Sequence, residues 1–336
     1  MAEVDPDTDF ERTASRSADA DRRADRSGIV GQVVSVLWNR TENRLRALWR
    51  VLGATVAGFV GVYVVPTLVL AGTELPPSVT GAVVNLIAAL AGLVTAVCFA
   101  KYVDRRPVTD YGLAFGPSWL TDFGAGSAIA LAGMAVALPV SLIAGWATVS
   151  ELFSGGTGAN TLPFAVAFGV YVIQWVLVAF WEELINRGLI LTSAVEGLRN
   201  RWLSDRGAVV VGVVASALIF SITHFPNSLA AFGSRLMMGV ILAAAYVWTD
   251  SLALPMGLHF LINFATNNIY GLANVREAAE VLPMLLRPTF TGPSQFVGAF
   301  GLVNTGAWLC VAALTVGYVA FRYGSVESRL TSAYLE

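Results

Sequence analysis

Apolar residues along this chain run in blocks of about twenty, separated by short polar breaks, with little of the apolar-polar alternation of a half-buried strand. A helix needs about 20 apolar residues to cross about 30 Å of hydrocarbon. Eight blocks reach that length, at roughly 50–71, 80–100, 124–146, 163–195, 207–224, 232–249, 252–271 and 296–321. The pattern predicts an all-α, polytopic membrane protein of about eight transmembrane helices. A shorter apolar piece from Ile29 to Trp38, followed by Arg40, Arg44 and Arg46, reads as an interfacial helix over 29–48. Residues 1–28 read as a solvated, disordered charged tail, 49–322 as the transmembrane domain, and 323–336 as a C-terminal tail.

Composition agrees with this picture. Hydrophobic residues make up 56% of the 336, charged residues 13%, and the mean hydropathy is +0.66. No long basic run with interleaved aromatics appears, which argues against a nucleic-acid partner. Cys98 and Cys310 lie in separate apolar runs and read as small buried hydrophobes. Charge distribution sets an orientation. Lys101, Arg105 and Arg106 follow the second block, Arg199, Arg201 and Arg206 the fourth, and Arg322 and Arg329 the eighth. The loops at 72–79 and 147–162 carry no Lys or Arg, whereas Arg235, Arg276 and Arg287 count the other way. The positive-inside rule then predicts a multi-pass protein of the cell membrane with both termini cytoplasmic.

Ionisable side chains at bilayer depth cost roughly 2.5–3.5 kcal/mol each on insertion scales, so they mark functional sites. Three blocks carry them. Glu182-Glu183 is followed by Arg187, which shares a helical face with Glu183 at i, i+4 and leaves Glu182 turned about 100° away. One carboxylate is thereby charge-compensated and the other is free for proton transfer. Phe220 precedes His224 by one turn, and Pro226 ends or bends that helix. His259 and Asn263 are again i, i+4 neighbours, able to stabilise an oxyanion or to bind a metal. These are the chain's only two histidines. One conflict stands. Simple topology puts His224 near the outer end of its span and Glu182 in the inner half of an overlong one, so the two meet only if those segments are offset or broken.

EExxxR, FxxxH and HxxxN, in this order on successive membrane segments, resemble the CAAX prenyl endopeptidase and bacteriocin-processing (CPBP, or Abi) family of intramembrane proteases. The resemblance covers roughly residues 160–271 and all six motif positions. It implies hydrolysis of a peptide bond in a membrane-anchored or prenylated, CAAX-type substrate within the lipid bilayer. Glu182 and His224 would activate water, His259 and Asn263 would hold the oxyanion, and Glu183 and Arg187 would support them. The family is commonly called a metalloprotease family, and Glu182, His224 and His259 could bind Zn2+. With no HExxH present, water activation without a required metal is the preferred expectation. The predicted orientation, together with the family, puts the cavity's opening on the cytoplasmic side. A proton-coupled transporter and a non-catalytic membrane scaffold are the competing readings, since intramembrane Glu and His also serve proton relays.

Overall fold

The computed structural model describes residue 32 and residues 34–75, 77–155, 162–199, 203–273 and 282–330; the tail at 1–28 lies outside them. The architecture is helical. Among the described residues, seven helices are long and apolar enough to cross a membrane: α1 (Ala47–Val69), α2 (Val79–Asp104), α3 (Pro117–Ile143), α4 (Phe164–Arg199), α5 (Asp205–Thr223), α6 (Leu229–Thr249) and α8 (Leu302–Tyr323). The remaining apolar block forms α7, which runs from Ala253 to Phe264 and continues as a wider turn over Ala265–Ile269. It is shorter than its neighbours and almost wholly buried among them, so it forms the centre of the bundle.

Helix α7 sits so deep because glycines let its backbone touch that of α3. A Cβ on Gly257 would lie 2.1 Å from the Phe123 carbonyl oxygen, and one on Gly126 would lie 2.4 Å from that of Leu254. Small residues at such crossings give membrane helices their closest packing. Helix α3 begins at Pro117, earlier than hydropathy suggests, because the buried Asp122 carboxylate accepts hydrogen bonds from Tyr318 (2.5 Å) and Tyr323 (2.7 Å) of α8.

The two ends of the bundle differ. At one end, Arg50 bonds Asp104 at 2.8 Å and Glu196 at 2.6 Å, with Arg44 and Arg106 on the same carboxylates. This buried ion cluster ties together α1, α2 and α4. The same end holds the Gly112–Leu252 contact and the Arg329 backbone bond to Val247. We call it the basic end. The stretch 29–48, expected as one interfacial helix, instead contains a tight antiparallel pairing of β1 (Trp38–Asn39) with β2 (Arg44–Leu45). Arg44 must reach Asp104 and Glu196, and the hairpin brings it there.

The opposite end carries a sheet that hydropathy does not foresee. Strand β3 (Ala147–Ser154) pairs antiparallel with β4 (Met284–Phe290), from Ala147 opposite Phe290 to Ser154 opposite Met284. It joins the loop after α3 to the loop before α8. We call this the sheet end.

Candidate active site

Helix α4 has 36 residues, about 54 Å at 1.5 Å per residue. Helix α5 has 19, and it runs antiparallel beside only the second half of α4. Ser216 donates to the Asn186 carbonyl, and Gly212 packs against Leu191 and Val195. The C-terminal end of α5 therefore reaches Glu182, midway along α4, and the conflict over depth resolves through unequal helix lengths. A π-helical stretch, Leu184–Leu191, follows the two glutamates directly, and such wide turns recur at functional sites. Phe225 then takes the left-handed region (φ 47), where a non-glycine residue is strained. Ser228 accepts from the Ala231 amide to start α6.

Four elements converge here. Glu183 Oε1 accepts from Arg187 Nη1 at 2.8 Å and from His259 Nδ1 at 2.6 Å. Arg187 also donates to the Gly239 carbonyl of α6 and lies 4.8 Å from the Phe220 ring centre. All three charged or ionisable groups are essentially inaccessible, at 0–1% exposure. Phe220 packs against both imidazoles, with ring centres 4.5 Å from His224 and 5.9 Å from His259. One aromatic side chain thus fixes Arg187 and both histidines.

Hydrogen-bond partners assign the tautomers. His224 Nδ1 lies 2.6 Å from the Phe220 carbonyl, which can only accept, so Nδ1 carries a proton. The Glu183 carboxylate places a proton on His259 Nδ1 in the same way. Each Nε2 then points toward Glu182 Oε2, at 3.5 Å from His224 and 3.9 Å from His259. That oxygen is buried and has no hydrogen-bond partner among the described residues. The second carboxylate is therefore the free one, as the helical offset predicted. Asn263 lies one turn beyond His259 and lines the same cavity, as do Glu182 and His224.

The donor set suits zinc chemically, because each histidine is braced through its other nitrogen, as metal-binding histidines are. Ligand atoms around tetrahedral zinc stand about 3.3 Å apart, from bonds of about 2.0–2.1 Å. The separations here are wider by a few tenths, and the described residues contain no compact metal-holding group of three.

The cavity, about 650 Å³, extends from Glu182 toward the sheet end. Its walls carry buried polar atoms with no hydrogen-bond partner among the described residues: Gln174 Oε1, Thr266 Oγ1, Asn304 Oδ1 and Trp308 Nε1. Arg235 also lines it, 4.7 Å from the Phe300 ring centre. Sequence reasoning missed these residues. Gln174 and Asn304 each sit as an uncharged polar side chain inside an apolar block, a fainter form of the signal that singled out the glutamates and histidines. A second, more apolar cavity of about 380 Å³ meets the first at Trp181, Glu182 and His224. Its outer edge holds the exposed rings of Phe59 and Tyr63, whose centres lie 4.7 Å apart and each 6.3 Å from that of Phe225.

Comparison with family models matches one segment of the chain. Residues 163–265 match the Type II CAAX prenyl endopeptidase Rce1-like model. The Rce1-like segment spans α4 to most of α7 and contains all six motif positions. Helices α1, α2 and α8, which complete the cavity walls, lie outside the match, as does α3. Comparison with curated proteins and with solved structures found no match.

Proposed function

We propose that the protein is an intramembrane endopeptidase whose substrate is a membrane-anchored or prenylated, CAAX-type peptide. One observation carries this reading: a buried, unpartnered Glu182 oxygen faced by two imidazole nitrogens whose tautomers are fixed from behind. A scaffold that merely held helices together would satisfy its polar atoms. This one leaves its carboxylate oxygen open to a cavity.

In the reaction, water between Glu182 and His224 gives one proton to Glu182 Oε2 as its oxygen attacks the scissile carbonyl carbon. His224 Nε2 accepts the water's other hydrogen and aims its oxygen. Asn263 donates from its amide to the oxyanion. His259, held through Nδ1 by Glu183, stands one helical turn before it on the same wall. Collapse of the tetrahedral intermediate breaks the C–N bond, and the leaving amine takes the proton held by Glu182. Zinc, when bound, would be held by Glu182, His224 and His259 and would supply Lewis-acid polarisation of water and carbonyl.

The two cavities suit the two parts of such a substrate. The polar one offers acceptors and a donor to a peptide backbone. The apolar one, opening laterally past Phe59 and Tyr63, suits the lipid anchor or an apolar segment. The test is cleavage of a quenched fluorescent prenylated peptide by purified protein beside its Glu182→Ala variant. Cleavage by wild type alone supports the reading. Equal cleavage by both removes Glu182 from the reaction.

A further inference from the structure

Arg235 is a cation inside the polar cavity that the proposed reaction leaves unused. It stands in the second turn of α6, a helix apolar enough to cross a membrane, and lines the cavity that Glu182 lines. Among the described residues of that wall it carries the one permanent positive charge. It also runs against the positive-inside pattern, so topology does not account for it. A guanidinium at such depth is costly and needs a partner. Among the described residues Arg235 has no ion pair and no hydrogen bond; its contact is the Phe300 ring, whose centre lies 4.7 Å from the guanidinium carbon. One ring offsets only part of that cost. Glu182, whose charge reaches Arg235, makes its close approaches to the two histidines instead.

The atoms around it are those of a peptide site. Phe300 stands just before α8, and Asn304 and Trp308, i and i+4 on that helix, share its cavity face. Asn304 Nδ2 donates to the Ala299 carbonyl, which leaves Oδ1 as its free acceptor. Gln174 Oε1, on α4, is a second acceptor, and Trp308 Nε1 is a donor. All three atoms are buried without a hydrogen-bond partner among the described residues. Backbone N–H and C=O groups of an extended peptide would satisfy them. A neutral backbone cannot satisfy Arg235, whose planar fork matches a carboxylate at two points. A phosphate would set close to two negative charges against Glu182 in the same cavity, which favours the singly charged carboxylate.

We infer that Arg235 anchors a carboxylate of the substrate, so that the peptide lies along the wall of Gln174, Asn304 and Trp308 with its scissile bond at Glu182. The inference rests on the protease reading and deepens it, since it makes one negative charge in the peptide a condition of tight binding. That carboxylate is the chain terminus or an acidic side chain, and the chemistry of recognition is the same for both. Arg235 is then a specificity residue. It touches no reacting atom, and its loss weakens the hold on carboxylate-bearing peptides.

The test reads binding apart from cleavage. Full-length Glu182→Gln protein, purified in detergent, is titrated with three dye-labelled prenylated peptides. One ends in a free carboxylate, one in a carboxamide, and one in a carboxamide with a single internal glutamate. Fluorescence anisotropy should show the first or the third bound about tenfold to a hundredfold tighter than the second, the range of one hydrogen bond to a charged group. Preference for the first assigns the chain terminus, and preference for the third an acidic side chain. Adding Arg235→Gln should remove the preference. Arg235→Lys, which keeps the charge but not the fork, should retain part of it, and this separates lost charge from misfolding. Equal affinity for the three peptides, absence of binding by all of them, or a preference that survives Arg235→Gln overturns the inference. The unaltered chain then receives the preferred peptide. A preference that holds without any cleavage sinks the protease reading and leaves the anchor standing.

Discussion

The two adjacent glutamates should fail in opposite ways when each is changed to glutamine. Glu183 Oε1 holds Arg187 at 2.8 Å and His259 at 2.6 Å in a region with 0–1% exposure. Glu183→Gln removes the carboxylate that, among the described residues, pairs with the fully buried Arg187 guanidinium. Breaking one side of a buried ion pair costs about 3–5 kcal/mol, because the remaining charge stays desolvated. Glu182→Gln is different. Its Oε2 has no hydrogen bond to lose among the described residues, only the longer approaches of the two imidazoles, so stability should move by no more than about 1 kcal/mol. Its rate should nevertheless fall about 10²–10⁴-fold, the usual contribution of a positioned general base. Thermal unfolding of both variants in one detergent, beside peptide cleavage at a temperature where both are folded, measures the contrast. Glu182→Gln as unstable as Glu183→Gln, or retaining wild-type cleavage, would refute the division of labour.

Other substitutions address single parts of the argument. Asn263→Ala should fold normally and lose about 10²–10³ in kcat, the cost of one oxyanion donor, with KM little changed. Because the proposed mechanism activates water with Glu182 and His224 and requires no metal, cleavage should survive exhaustive chelation. Loss on chelation with recovery on added zinc would assign water activation to a metal on Glu182, His224 and His259. Arg50→Met should lower stability, measurable as a lower unfolding temperature, but by less than the about 3–5 kcal/mol of an isolated buried pair, because Arg44 and Arg106 still compensate Asp104 and Glu196. Gly257→Ala should cost at least about 1–3 kcal/mol, since its Cβ meets the Phe123 carbonyl at 2.1 Å. It should also reduce cleavage by shifting His259, two residues away.

What the chain discloses without coordinates follows the range of each interaction. Span length and the i, i+4 pairs are local, so the helices and the Glu183–Arg187 pair were legible directly. The sorting of Glu182 from Glu183 was legible too, because a 100° turn on one helix separates them. The bond from Glu183 to His259 was not, since it links residues 76 apart and depends on α7 lying against α4. The β3–β4 sheet was hidden for the same reason: Ser150 meets the Arg287 carbonyl across 137 residues. Hydropathy also cannot see unequal helix lengths. It read α4 as overlong and His224 as misplaced, when the surplus length of α4 is what carries Glu182 to the tip of α5. The same offset turns the cavity toward the sheet end.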